Sequence, residues 1–165
     1  MWHVIAACVL SLCSTDPLDR LERQASSLTF WQQSYDAPSG TSREQDLLKL
    51  QRLVETVLGV QVQQAGAPPG TAGVSSREHR IIALDGTLSP NARLQVLAHE
   101  AGHVLQPDGL SKQEAEVFAD AVSLLVTGDD AHVYSQYLAG SKSGLHALRT
   151  YRREIQWAAR VLGGR

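Results

Sequence analysis

The sequence predicts an α+β domain that is mostly helical, with a small sheet beside one long helix. Apolar residues recur at spacings of three and four along several segments, which is typical of helices that bury one face. A short apolar run, Arg80 to Leu84, is bounded by the turn pair Asp85-Gly86 and has the character of a strand. A length of 165 residues suits one hydrophobic core. We therefore predict a single domain over residues 16–165, preceded by a separate apolar segment at residues 1–15.

Composition and charge are those of an ordinary soluble protein. Hydrophobic residues make up 43% of the chain and charged residues 19%, and the formal net charge is -2, values typical of globular domains. No cluster of Lys and Arg is dense enough to attract a nucleic-acid backbone, so no nucleic-acid partner is expected. No apolar run is long enough to form a transmembrane helix.

The N-terminal segment leaves the compartment of the protein open. Val4 to Cys13 is an apolar run of about ten residues, which is the length of a signal-peptide core and too short to span a bilayer. Met1 to His3 contain no Lys or Arg, although signal peptides usually carry one there. Two locations are therefore equally favoured: retention in the cytoplasm, and export or anchoring to a membrane. Both cysteines, Cys8 and Cys13, lie in this segment, so any metal in the domain must be held by His and carboxylate side chains.

Start and stop signals define the elements of the first half of the domain. Asp16-Pro17 is an N-cap followed by proline at the first helical position, which begins a helix. Ser42 and Gln45 match a capping box that begins a second helix, and Gly59 ends it. The predicted elements are a helix over residues 16–31, a helix over 42–59, a short alternating strand at 60–62 and a surface loop rich in Gly, Pro, Ser and Ala over 65–76.

The second half is built around two capped helices. Ser89-Pro90 repeats the N-cap and proline signal, and Gln106 to Gly109 stops the helix that follows. The next helix begins with a second capping box, Ser111 with Glu114, and ends at Gly128. Further helices are predicted between Asp129 and Gly140 and from Leu145 to Leu162.

The helix that follows Ser89-Pro90 carries the run His99-Glu100-Ala101-Gly102-His103. Each residue of a helix turns about 100°, so His99 and His103 project from one face and can share a metal ion. Glu100 flanks that face, where it can take a proton from a water molecule. The pattern is typical of zinc hydrolases and predicts one zinc ion per chain, with His99 and His103 as ligands and Glu100 as the catalytic base. So short a motif also arises by chance, and the surrounding sequence has to supply the rest of the site.

A zinc site with two histidines from one helix needs a third protein ligand, usually from the next element. Glu114 and Glu116 compete for this role. Glu114 is already the last residue of the capping box, where its carboxylate bonds the Ser111 amide, so Glu116 is favoured and Glu114 is the fallback. Asp120 lies four residues beyond Glu116, and two acids at that spacing repel each other unless a cation or a donor lies between them. We therefore expect Glu116 to bind the metal and Asp120 to accept the free N–H of a ligand histidine.

These motifs resemble a known family. Glu116 to Asp120 reads Glu-x-x-Ala-Asp, which is similar to the second-helix signature of thermolysin-like gluzincins. The stretch from Arg80 to Leu125 more closely resembles the ImmA/IrrE metallopeptidase family. It has a short strand, a Ser-Pro-led helix with the His-Glu-x-x-His run, the Glu-x-x-Ala-Asp motif and a Leu-Leu pair. Asp120 stands where this family more often has Asn, and the link from His103 to Glu116 is short.

The resemblance implies an α+β zincin-like domain that cuts a protein or peptide substrate, often a transcriptional repressor in ImmA/IrrE relatives. The residues themselves point only to metal-assisted hydrolysis, so other interpretations stay open. One is a catalytically silent zinc-binding sensor or partner-binding module, against which the intact Glu100 argues. Another is a peptide deformylase, whose upstream cysteine ligand has no well-placed counterpart in Cys8 or Cys13.

Two further features of the expected site stay open. The donor that stabilises the oxyanion is not fixed, and the downstream candidates are His132, Tyr134, Tyr137 and His146. The strand from Arg80 to Leu84 is either an ordinary strand that covers the core or an edge strand that pairs with an extended substrate.

Overall fold

The computed structural model describes residues 16–19, 21–22, 43–128 and 142–164. Residues 17–19 and 21–22 are helical. The other elements are α1 (Glu44–Leu53), a π-helical turn (Val54–Leu58), β1 (Gln61–Gln63), β2 (Gly73–Ser76), β3 (Ile81–Leu84), α2 (Pro90–Leu105), α3 (Lys112–Thr127), α4 (Lys142–Thr150) and α5 (Arg152–Val161). The predicted α+β class, mostly helical with a small sheet, is confirmed.

The sheet has three strands in the order β1-β3-β2, which makes β3 the central strand. β1 runs parallel to β3, and β2 runs antiparallel to it. The strand predicted from Arg80 begins one residue later, because Arg80 has a left-handed backbone (φ 53) that closes the preceding turn. Both sides of β3 are paired, so the alternative that this strand is a sheet edge is wrong.

The loop predicted over residues 65–76 is wrong at its end, where Gly73–Ser76 form β2. Glycine has a low strand propensity, and a Gly-Ser-rich run carries no clear local strand signal. The segment becomes a strand because it pairs with β3. Val74 lies opposite Ala83 and Ser75 opposite Ile82 in the antiparallel ladder. β2 also packs against α2. The edge strand beside the motif helix is therefore β2.

Helices α2 and α3 pack against each other at the centre of the core. α2 begins as predicted, since the Ala92 amide donates to the Ser89 hydroxyl at 3.2 Å. It ends before Gln106, which is extended (ψ 147), because a residue that precedes proline disfavours the helical conformation. Fully buried side chains of this core include Ile82, Leu97, Phe118, Val122 and Ile155.

The capping box predicted at the start of α3 is confirmed, with reciprocal bonds between Ser111 and Glu114. The predicted helix end at Gly128 is also confirmed. The helix predicted to end at Gly59 does so, but only after a π-helical turn that the apolar spacing did not indicate. The predicted last helix is divided into α4 and α5, because the backbone of Tyr151 (φ -100, ψ 18) departs from helical values.

The start of the first predicted helix is confirmed. The Leu18 amide donates to Asp16 Oδ1 at 2.8 Å, and Leu18 and Leu21 are buried in the core. Several predicted features lie outside the described residues: the apolar segment at residues 1–15, the first helix beyond Glu22, Ser42 and the helix between Asp129 and Gly140. These features and the single domain over 16–165 stay predictions. Within the described ranges no helix has the length and apolar character that a membrane span requires.

Candidate metal centre

The two histidines of α2 face each other one helical turn apart. The Nε2 atoms of His99 and His103 are 3.0 Å apart, and the rings meet edge to face with centroids 4.7 Å apart. Both side chains are partly buried. This convergence follows from the i, i+4 spacing on one helix.

Helix α3 brings Glu116 to the same point. Its Oε2 atom lies 3.5 Å from His99 Nε2 and 3.8 Å from His103 Nε2. Ligand atoms of these three side chains all lie within 4.8 Å of one another, and the described part of the chain contains no other group of this kind. Glu114 lies elsewhere, since its Oε2 accepts hydrogen bonds from the Ser111 amide at 2.9 Å and the Ser111 hydroxyl at 2.7 Å.

Each histidine is also held through Nδ1. His99 Nδ1 lies 2.9 Å from Asp120 Oδ1, and His103 Nδ1 lies 2.9 Å from Oε1 of Gln106. Carboxylate and amide oxygens accept hydrogen bonds, so Nδ1 of each ring donates and each Nε2 of a neutral ring carries a lone pair. Two lone pairs at 3.0 Å beside a carboxylate oxygen repel unless a proton or a metal cation lies among them. The donor set therefore fits a divalent metal ion that binds nitrogen and oxygen.

The charges around the histidines favour a cation as well. Burial alone lowers the pKa of His99, but hydrogen bonds to Asp120 and Glu116 outweigh it and raise the pKa to about 10. The hydrogen bond to His99 lowers the pKa of Glu116. Asp120 is 2% exposed, and its Oδ2 has no hydrogen-bond partner among the described residues. Such a cluster of acids holds a proton, and a metal ion that binds there displaces it.

Glu100 lies on the side of α2 that packs against β2. Its Oε2 accepts a hydrogen bond from the Ser75 hydroxyl at 2.7 Å, and the residue is only 8% exposed. Gly73 lets the two elements come close, because a Cβ at this position would lie 2.5 Å from Val96 Cγ1 and 3.2 Å from Glu100 Cγ. A residue with a side chain at position 73 would therefore displace either the strand or the Glu100 side chain.

An open cleft of about 520 Å³ lies between β2 and the histidines. Residues from the strand, from the turn after it and from both helices meet there. Its lining consists of Gly73, Val74, Ser75, Arg77, Glu100, His103, Gln106 and Glu116. A larger cavity, of about 650 Å³, lies near the end of α3, where none of the three clustered ligands lines it. The smaller cleft is therefore the one that two of the candidate metal ligands line.

Sequence reasoning missed the residues that surround the motif in space. Gly73, Ser75 and Arg77 fall in or next to a segment predicted to be a loop, and Gln106 was assigned only to the helix stop. The alternation of Gly73, Ser75 and Arg77 is the one local signal, since residues two apart in a strand share a face. That signal has meaning only once β2 is known to be a strand.

One candidate for the oxyanion donor falls within the described ranges. His146 is exposed on α4, its Nε2 lies 3.3 Å from Thr150 Oγ1, and it does not line the cleft. Among the described candidates, His146 is therefore a surface residue outside the cleft lining. His132, Tyr134 and Tyr137 lie outside the described residues.

The fold and the site define a class of protein. Three features are typical of a metallopeptidase-type domain with a zincin-like fold: a cluster of two histidines and a glutamate that could hold a metal, a second glutamate in the same cleft, and a mostly helical α+β frame. Residues 56–132 match the family model Peptidase_M78, described as the IrrE N-terminal-like domain. This match supports an ImmA/IrrE-type peptidase domain in this part of the chain, so the resemblance seen in the motifs is confirmed. No curated protein and no solved structure matches the chain significantly.

Proposed function

We propose that this chain is a zinc-dependent endopeptidase that hydrolyses peptide bonds of a protein substrate. The observation that carries the proposal is the convergence of His99, His103 and Glu116, whose ligand atoms lie within 4.8 Å of one another. Glu100 lines the same cleft as two of them. The family match supports peptide hydrolysis over other zinc-dependent reactions.

His99, His103 and Glu116 would hold one zinc ion per chain. Two imidazoles and one glutamate form a known ligand set of catalytic zinc, which keeps a further position open for water or substrate. When bound, zinc lowers the pKa of a water molecule and polarises the substrate carbonyl. Asp120 accepts the Nδ1–H of His99 at 2.9 Å and so keeps that ring in the tautomer whose Nε2 can bind a metal.

Glu100 is the proposed general base. The Ser75 hydroxyl donates to Oε2 and orients the carboxylate, while Oε1 has no hydrogen-bond partner among the described residues. Oε1 can therefore accept the proton of the attacking water. Glu100 then returns this proton to the leaving amine, which regenerates the carboxylate in each turnover.

The edge strand β2 is the proposed binding site for the substrate backbone. β2 pairs with β3 on one side and lines the cleft, and an extended peptide can add to a sheet edge through main-chain hydrogen bonds. Such a peptide would pass Glu100 and the histidines. Val74, which is 41% exposed, offers an apolar contact for a substrate side chain. The resemblance to ImmA/IrrE relatives points to a regulatory protein as the substrate.

Metal analysis and a cleavage screen test the proposal together. The purified full-length chain should contain about one zinc ion, as a mononuclear catalytic site requires. Glu100→Gln should keep the zinc and lower peptide hydrolysis by about 10²- to 10⁴-fold, because an amide cannot take the proton. A proteome incubated with each protein would reveal peptides that only the wild type produces. Glu114→Gln changes a glutamate outside the cleft and is the matched control, which should keep both zinc and activity.

The possible outcomes separate the alternatives. Glu100→Gln with zinc bound and hydrolysis undiminished would remove Glu100 from the mechanism. A wild type that binds zinc but cleaves nothing would favour the catalytically silent sensor or partner-binding module. A wild type without zinc affinity would refute the metal site itself.

A further inference from the structure

One arginine from the sheet holds the C-terminal end of α2. A helix leaves its last carbonyl groups without partners inside the helix. Arg77, which directly follows β2, donates its Nε–H to the His103 carbonyl oxygen at 3.0 Å and an Nη2–H to the Gln106 carbonyl oxygen. Its Nη1 donates to Asp108 Oδ1 at 2.7 Å. The planar guanidinium thus joins three positions of this turn to the edge strand.

Gln106 connects this turn to the His103 ring. The residue leaves the helix in an extended conformation because Pro107 follows it. From there its side chain reaches back three residues, and its Oε1 lies 2.9 Å from His103 Nδ1. Arg77 therefore binds the main chain of His103 and also the main chain of the residue that contacts the His103 ring.

We propose that Arg77 and Gln106 form a clamp, a pair of positioning residues that fixes the His103 ring for metal binding. The proposal rests on the zinc site proposed above. Gln106 keeps the proton of His103 on Nδ1, so that Nε2 presents its lone pair towards His99 and Glu116. Arg77 keeps Gln106 within reach of the ring.

The clamp explains how the second histidine is held without a buried acid. His99 is supported by Asp120, which is 2% exposed and held in place by the packing of α3 against α2. Gln106 lies in a surface turn, and its side chain would lose more conformational freedom on binding the ring than the buried Asp120 does. Three hydrogen bonds from Arg77, whose side chain is 39% exposed, restrict that turn. The edge strand thus contributes to the ligand geometry as well as to the cleft.

Zinc affinity of the full-length chain, measured by competition with a chromophoric chelator, tests the clamp. Gln106→Leu removes the acceptor and should weaken zinc binding about 10- to 100-fold. Gln106→Glu keeps an acceptor oxygen at the same reach and should restore most of the affinity. Arg77→Ala should weaken binding, and Arg77→Lys should not restore it, because one ammonium group cannot bridge the two carbonyl groups as the guanidinium does.

Arg80 provides a matched control. It also donates to a backbone carbonyl, that of Leu58 at 3.1 Å, but it contacts no residue of the site. Arg80→Ala should keep the wild-type zinc affinity. An equal loss of affinity in Arg80→Ala and Arg77→Ala would show that general destabilisation, and not the clamp, is responsible.

A second measurement reports on the ring itself. Long-range ¹H–¹⁵N spectra of the zinc-loaded protein should show the proton of His103 on Nδ1, in slow exchange with solvent, and Gln106→Leu should speed that exchange. Gln106→Leu with wild-type affinity and an unchanged spectrum would overturn the clamp while leaving the zinc site intact. A wild type that binds no zinc would instead refute the proposed function, and with it the clamp that depends on it.

Discussion

Gly102 stands between the two histidines of the motif, at a close approach of α2 to α3. A Cβ added there would lie 2.9 Å from Ala119 Cα and 3.3 Å from Ala119 Cβ. Carbon atoms in contact prefer about 3.5–4.0 Å, so Gly102→Ala should push the helices apart by about 0.6 Å, the difference between 3.5 and 2.9 Å. Overpacking of this kind costs about 1–3 kcal/mol, and the better helix propensity of alanine offsets about 1 kcal/mol. The expected loss in free energy of unfolding is about 0–2 kcal/mol, or a few degrees in Tm.

Metal binding should be affected more strongly than stability. Ala119 precedes Asp120 and lies one helical turn after Glu116, so the displacement moves both acids away from His99. Binding sites need their geometry held to about 0.5 Å, and we expect zinc affinity to fall about tenfold or more. Chelator competition measures the affinity, and calorimetry of the metal-free protein measures the Tm.

A graded series provides the control for Gly102→Ala. Gly102→Val should lower both quantities further. Adding Ala119→Gly should restore only part of the loss, because the nearest atom to the new methyl group is the main-chain Cα of residue 119. A Gly102→Ala protein with wild-type zinc affinity and an unchanged or higher Tm would refute the reasoning from close approach.

Two further predictions concern the ligands. Glu116→Ala should lower the bound metal far more than Glu114→Ala, because only Glu116 approaches the histidines. Metal analysis after dialysis measures the metal content of both variants, and the opposite ranking would make Glu114 the ligand. The pH dependence of the metal-free protein is the second. Burial alone lowers the pKa of His99, but hydrogen bonds to Asp120 and Glu116 raise it from 6.5 to about 10. The protonated His99 ring therefore stabilises the fold fully below pH 6.5, and this stabilisation disappears as the pH rises towards 10. Zinc affinity should rise over the same interval, because binding displaces that proton. Melting curves with and without a chelator test both effects, and a metal-free Tm that increases from pH 7 to 10 would contradict them.

The helices were predictable because their signals are local. The Ser89 hydroxyl caps α2 through Ala92, and Ser111 and Glu114 cap α3, in each case through partners three residues apart. The division of the last helix at Tyr151 had no comparable signal, because the apolar spacing of α4 continues into α5. Tyr151 is partly buried and packs against the core, a tertiary contact that the helical spacing does not indicate.

The sheet was only partly predictable, because some of its strands depend on contacts between residues that are distant in the chain. β3 is apolar enough to be recognised on its own, and three of its four residues are buried. β2 has a Gly-Val-Ser-Ser sequence, and it is a strand because its backbone bonds to β3 along one edge and the strand packs against α2. Without β2, the sequence offered the strand from Arg80 to Leu84 as the one candidate for a substrate-binding edge, beside the alternative of an ordinary core strand.

By itself the sequence determined the relation of His99 to His103 and of Glu116 to Asp120, because residues four apart on a helix share a face whatever the rest of the fold does. The capping box also indicated which glutamate has a structural role. Only the tertiary structure decided what meets these side chains. Ser75 reaches Glu100 across 25 positions of the chain, and Arg77 reaches His103 across 26. Contacts of this range depend on the packing of β2 against α2, which no local pattern of residues encodes.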